Sequence, residues 1–313
     1  GRFVDQLIDG LWHLSNMPTW VLSAHLHRQK SKRSLPDPRE QLIDLGSGGL
    51  AAQVAVAWHF FHETFDKVDP VISYVIQEAM KKQILDPYLN TAEYRPNWWL
   101  GFELKESQVV NNWNPWCNAD VILCFLLMEK DPQRLEHALR QSARSVDKFW
   151  DYVKSDGACE EGPAYWGHAA GKLYDYLKIM SDASDGRFSF FDHKQVKDMG
   201  EYISRSYVKN RWVVNFADAS AQLSYSPSVI YNYGKAVGSR EMMDFAVYNL
   251  GNQSKERFNR PRPSVSNDAY RALESIITIN ELDERVSELN SRIDSGESFD
   301  SLMDSLRDAV PDN

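Results

Sequence analysis

The chain has 313 residues, 43% of them hydrophobic, and a formal net charge of −9. That length can bury a substantial core in one large or two small domains, while the acidic balance argues against nucleic-acid binding and supplies no long-range attraction for a polyanion. Cys117, Cys124 and Cys159 show no CxxC or Cys/His spacing, so neither a disulfide framework nor a metal site is indicated and no cofactor is expected; no apolar run is long enough to span a membrane.

Taken in chain order, Phe3, Val4, Leu7, Ile8 and Leu11 form one helical face. Gly1 followed directly by that pattern reads as a trimmed start, with no signal peptide visible. The stretch TWVLSAHLH leads into a polar loop containing Pro36 and Pro38. Helices are expected over 50–65 and from Asp69-Pro70 to about 89, then an aromatic connector over 94–102 with Trp98 and Trp99. Asn114-Pro115 reads as an N-cap followed by proline at the first helical position, with Val121 to Met128 as the body of that helix. Asp131-Pro132 repeats the signal for a helix that runs through Phe149, Trp150 and Val153 until Asp156-Gly157 stops it. Gly162-Pro163 opens another, through Tyr165, Leu173 and Leu177. Further helices are expected over 190–207, 228–236, 241–250 and 267–280, and amphipathic ones over 282–306. Strand-like alternation is confined to 212–216.

Helices in antiparallel pairs with no sheet between them point to an all-α fold, an incomplete α/α toroid of about five antiparallel helical hairpins. It is read as a single domain over 1–313: a first helix and rim loop (1–46), core hairpins (47–280) and C-terminal helices (281–313). Counting helices up and down places the loops 16–47, 94–114, 155–162 and 209–226 on one rim. That rim would bring Asn111, Asn112, Trp113 and Asn114 to the same side as Glu161 and Tyr165, and adds Trp20, His25, Asn215 and Asp218 as candidate substrate contacts.

The chemistry of that group suits β-elimination of a uronic acid sugar. A tyrosine in the first turn of a helix feels the positive end of the dipole, which favours the phenolate. An asparagine amide can neutralise the uronate carboxylate, making the C5 proton more acidic for the tyrosine to remove, and the tyrosine can return a proton to the leaving glycosidic oxygen. Each residue also has a plainer reading. Asn112 could be a capping amide, Tyr165 a core aromatic, His25 a structural histidine, Trp20 a loop anchor, Glu161 a helix cap, and Asn215 and Asp218 turn formers. The ten tryptophans and fourteen tyrosines suit sugar stacking and helix packing equally. Arg205, Lys209, Arg211, Arg257, Arg260 and Arg262 could line a basic subsite or be solvated surface charges.

At Asn112 and at Glu161-Gly162-Pro163-Ala164-Tyr165 the chain resembles the heparinase II/III-like polysaccharide lyases; 53 positions separate Asn112 from Tyr165. The likeness runs from about Leu11 to about Leu273 and includes TWVLSAHL and VVNFADAS. The resemblance implies that Asn112 neutralises the uronate and that Tyr165 serves as base and acid. It implies an acidic polysaccharide substrate, a periplasmic or secreted location in a bacterium, and a C-terminal β-sheet domain from the same gene that contributes a further histidine. That domain is expected to be absent from this chain, which stops near where it would begin. One position departs: many such lyases have histidine after the asparagine, and this chain has Trp113.

Two other classes remain open. An inverting glycoside hydrolase on the same toroid would use a carboxylate pair drawn from Asp156, Glu160, Glu161 and Asp218. A non-catalytic glycan-binding protein would need only aromatic rims.

Overall fold

A computed structural model describes residues 1–90, 97–105, 108–209, 211–256, 268–298 and 301. The chain is all-α, with eleven α-helices and one two-stranded hairpin among the described residues. None of those helices is long and apolar enough to cross a membrane. The expected contributions of Tyr94, Arg257, Arg260, Arg262 and Leu306 lie outside the described residues. Contacts divide the described residues into two compact units, the first within residues 1–152 with 268–270 and the second within residues 153–267 with 271–313.

In the first unit, α1 (Arg2–Ser15) packs on α3 (Pro70–Met80), and α2 (Leu45–Val68) packs on both α3 and α5 (Trp113–Met128). Helix α2 starts five residues before the expected position, because Asp44 and Ser47 form a reciprocal capping box. Asp69 accepts from the N–H of Val71 and Pro70 opens α3, as its sequence predicts. The helix widens into one π turn at Lys81–Leu85 before α4 (Asp86–Leu89). Pro87 accounts for that turn, since it has no N–H for the bond back to residue 83. Helix α6 (Pro132–Tyr152) begins at the predicted Asp131-Pro132 signal, where Asp131 accepts from the N–H of Gln133.

The core of this unit mixes aromatic packing with a satisfied polar chain. Tyr88 packs between Trp99 and Phe125, with ring centroids 6.2 and 5.6 Å away. Its hydroxyl donates to Asn118 Oδ1 at 2.9 Å, and Asn118 in turn donates to the Ser145 hydroxyl. Burying these groups is tolerable because each finds a partner.

The second unit contains α7 (Ala170–Ala183), α8 (Lys194–Arg205), α9 (Pro227–Ala236), α10 (Arg240–Glu256) and most of α11 (Ala269–Asp294). Between α8 and α9 lies the hairpin β1 (Tyr207–Lys209) and β2 (Trp212–Val213), where alternation was expected. Tyr233 sits at the centre, stacked on Tyr174 at 4.9 Å and on Trp166 at 6.0 Å. Helix α11 corrects the expected break near 280, since one helix runs through that point.

Two helix starts near the candidate motifs also differ from expectation. Helix α5 begins at Trp113 rather than Pro115, so Asn112 and not Asn114 holds the N-cap position. The segment opened by Gly162-Pro163 is a six-residue 3-10 turn, Pro163–His168, and α7 begins only after Ala169 turns out of helical geometry.

Candidate functional site

The candidate residues fall into two sets. Asn111, Asn112, Trp113, Asn114, Trp20 and His25 belong to the first unit; Glu161, Tyr165, Asn215 and Asp218 belong to the second.

In the first unit, the N-termini of α2 and α5 both meet His25. Asp44, the N-cap of α2, lies with Oδ2 2.6 Å from His25 Nδ1, and the His25 ring meets the Trp113 indole edge-on at 4.8 Å. The loop 16–47 and the start of α5 therefore come together at His25. Asp44 has no exposed side-chain surface. Its Oδ2 also accepts from the N–H of Leu22, and its Oδ1 from the N–H of Ser47. Backbone N–H groups can only donate, so in these two bonds the Asp44 oxygens are the acceptors.

The three asparagines ahead of α5 divide sharply in what their side chains do. Asn114 is fully buried, and its amide nitrogen donates to the carbonyls of Trp99 and Ser145 and to the Ser145 hydroxyl, at 2.8 to 3.0 Å. Asn114, expected among the substrate contacts, is thus held in the core by its own hydrogen bonds. Asn111 accepts from the N–H of Trp113 at 3.1 Å, closing a local turn. Asn112 is only 4% exposed, yet its side chain caps nothing and makes no hydrogen bond among the described residues. The capping reading of Asn112 is thereby removed.

For Trp20 the contacts match the loop-anchor reading. It is buried, and its indole N–H donates to the carbonyl of Leu14 at 2.9 Å, so it anchors the loop that follows α1. Trp113 stays partly exposed, with Trp98 5.7 Å away and the Arg28 guanidinium over both indoles at 5.3 and 5.4 Å. Sequence reading missed Arg28 and Asp44. The first is visible only as the third residue after His25 in HLHR, and the second as the aspartate of an Asp-x-x-Ser capping signal.

In the second unit, the turn carrying Tyr165 is pinned from below. Trp166 is buried and donates its indole N–H to the carbonyl of Met199 at 2.8 Å, while Arg271 donates to the carbonyl of Gly167 at 2.7 Å. Tyr165 stays partly exposed, edge-on to His168 with ring centroids 6.1 Å apart. The dipole argument for its phenolate does not apply, because a single 3-10 turn offers no α-helix N-terminus at this residue.

Gly162 explains the glycine of the motif. Its φ is +85°, and a Cβ there would lie 2.5 Å from the carbonyl oxygen of Phe216 and 2.7 Å from Cβ of Ala219. The loops 155–162 and 209–226 thus meet at a point only glycine fits. Glu161, just before it, caps nothing, since the 3-10 turn has no side-chain cap. Burial raises the proton affinity of the Glu161 carboxyl, and the charge of Asp218 raises it further. Glu160 is raised by burial and by the charge of Glu161. Asn215 and Asp218 are exposed, and Asn215 donates to the carbonyl of Ala219 at 3.4 Å, a loop-closing role.

Among the cations considered for a basic lining, Arg205 is held by Asp198 and Glu201, and Arg211 by the carbonyl of Leu223 and the hydroxyl of Ser224. Their charges serve the fold. No protein-family model matches the chain, and no curated protein matches it.

Proposed function

We propose that the chain is a polysaccharide lyase of the heparinase II/III-like kind, acting on a uronic-acid-containing polysaccharide, with Asn112 as carboxylate neutraliser and Tyr165 as base and acid. The observation that carries this reading is the amide of Asn112. Among three neighbouring asparagines its amide alone makes no hydrogen bond to the described protein, although the residue is 96% buried. An amide so placed is available to a ligand oxygen. The motif order, the partly exposed Tyr165 and the glycine required beside it support the same assignment.

In the proposed reaction, the Asn112 amide donates to the uronate carboxylate as negative charge builds on it. Tyr165 is the base that takes the C5 proton. The electron pair forms the C4=C5 double bond, the C4–O bond breaks, and the Tyr165 phenol returns its proton to the departing oxygen. The hydrogen bond to the carboxylate strengthens toward the transition state, so its loss belongs in kcat. An incomplete α/α toroid is the architecture proposed with this function. Its support is the shared starting end of α2 and α5 and the pairwise meeting of rim loops inside each unit. A bacterial periplasmic or secreted location and a β-sheet domain from the same gene belong to the same proposal.

A second reading has one observation in its favour: Glu161 has raised proton affinity beside the charge of Asp218, as a general acid of an inverting hydrolase would.

The test is a side-by-side comparison of Asn111→Ala, Asn112→Ala and Asn114→Ala on a cleaved polysaccharide. The expected result is a kcat loss of about 10² to 10³ at Asn112 alone, the size seen when one oxyanion-type donor is removed. Undiminished kcat in Asn112→Ala would refute the assignment.

A further inference from the structure

We propose that the second unit binds a potassium-sized monovalent cation in a cleft between α7, α9 and α11, held by oxygen atoms of Tyr174, Ser228, Asn232 and Glu274. The site takes no part in the elimination described above, so it stands or falls apart from the lyase reading.

Each of the three helices presents one face to this cleft. Tyr174 and Asp175 come from α7; Ser228 and Asn232, four positions apart, from α9; Arg271 and Glu274, three apart, from α11. The free space among them is about 10 Å³, room for one water-sized group.

The polar atoms there lack partners. Asn232 is only 6% exposed, and its Oδ1 accepts no hydrogen bond among the described residues. Tyr174 is 2% exposed, and its hydroxyl makes no hydrogen bond among them either. A buried acceptor left unmet is costly, so in folded proteins such atoms are met by protein, water or a bound ion.

Charge decides which. Asp175 is met by Arg271 at 2.7 Å and by Lys172 at 3.7 Å, and Asp182 by Lys178. The half-buried Glu274 is the carboxylate at the cleft with no hydrogen bond or ion pair among the described residues. Burial raises its proton affinity, the charge of Lys178 lowers it and that of Asp182 raises it. At the Tyr174 hydroxyl, burial and then the charges of Glu274, Asp175 and Asp182 all favour the bound proton, so the field there is negative. One uncompensated carboxylate is balanced by one positive charge, whereas calcium is ordinarily met by several carboxylates. A carboxylate, an amide oxygen and two hydroxyls are hard oxygen donors, which suit an alkali cation and not a soft metal. Water would satisfy the amide and leave the charge of Glu274 unbalanced; potassium, close to water in size, does both.

The site lies behind the turn that carries Tyr165. Arg271, one turn before Glu274 on α11, donates to the Asp175 carboxylate and to the carbonyl of Gly167. A cation between Glu274 and α9 therefore braces the helix that pins that turn.

The experiment compares the protein in potassium chloride and in choline chloride at equal ionic strength, by thermal unfolding and by thallium NMR, with thallium(I) as the stand-in for potassium. The expected result is a saturable rise of the thermal midpoint with potassium over choline, and a bound thallium signal that potassium displaces. Glu274→Gln keeps the shape and removes the charge, and should weaken binding about tenfold or more, because an opposite charge at contact distance within a protein is worth at least that factor. Asn232→Leu should lose the potassium effect and be at least as stable as the parent in choline, since its amide oxygen has no hydrogen bond to lose. Absence of a displaceable thallium signal, the outcome for a cleft that holds only water, would overturn the proposal. So would equal midpoints in the two salts, stabilisation by calcium chloride but not by potassium, or unchanged potassium affinity in Glu274→Gln. If Asn232→Leu does not fold, Glu274→Gln decides alone, since its site is half-exposed.

Discussion

The amide nitrogen of Asn114 lies 2.9 Å from the carbonyl oxygen of Ser145 and 3.0 Å from its hydroxyl, joining the start of α5 to the middle of α6. The same nitrogen reaches the carbonyl of Trp99, so one side chain fixes three points of the first unit. Asn112, two residues earlier, spends its amide on none of them.

That division predicts opposite behaviour for two neighbouring mutants. Asn114→Ala leaves buried carbonyls without a donor, which should cost about 2 to 3 kcal/mol of stability. Asn112→Ala removes no internal hydrogen bond and should cost about 1 kcal/mol or less, for lost packing alone. Urea unfolding of both variants measures the difference, and equal losses would contradict it.

Gly162→Ala should destabilise the second unit. At φ +85° an added Cβ is strained, and here it also meets backbone at 2.5 Å. A loss of roughly 2 kcal/mol or more is expected, read as a lowered unfolding midpoint. Gly186, at φ +78° with open space around it, is the control: Gly186→Ala carries the backbone strain without the collision and should cost less.

Much of this was legible in the chain. Asp69-Pro70 and Asp131-Pro132 started helices where they should, because an aspartate acceptor followed by proline satisfies the helix start locally. Asn114-Pro115 carries the same signal, yet tertiary contacts with Trp99 and Ser145 claimed the asparagine and moved the start to Trp113. At Gly162-Pro163 the fold of the surrounding chain decided the outcome: Trp166 is drawn onto Tyr233 and Met199, and the turn stays 3-10. The pairing of His25 with Asp44 spans 19 residues and has no local signature. Asp44 is recognisable from sequence as a capping residue, not as a partner for histidine.

Glu161, four positions before Tyr165, gives a pH prediction. Glu161 binds its proton more tightly in the fold than an ordinary carboxyl near 4.5, because burial and the charge of Asp218 disfavour ionisation. The folded state then holds more proton than the unfolded state above that value, and the contribution of Glu161 to stability is lost as pH rises through its folded pKa. Glu161→Gln should therefore match the parent near pH 4 and be the more stable protein at pH 7. Thermal unfolding at both values decides it; a variant less stable at pH 7 than at pH 4, relative to the parent, would contradict the assignment.

The central claim is elimination by Tyr165, and product chemistry tests it most directly. A panel of uronate polysaccharides, heparan-type, chondroitin-type and alginate-like, should be incubated with the parent protein and with Tyr165→Phe, following ultraviolet absorbance of a C4=C5 double bond. The account predicts an absorbing product from at least one polymer and a rate lower by about 10² to 10⁴ in Tyr165→Phe, the range for losing an acid/base group. New reducing ends without ultraviolet absorbance, or an unchanged rate in Tyr165→Phe, would contradict it.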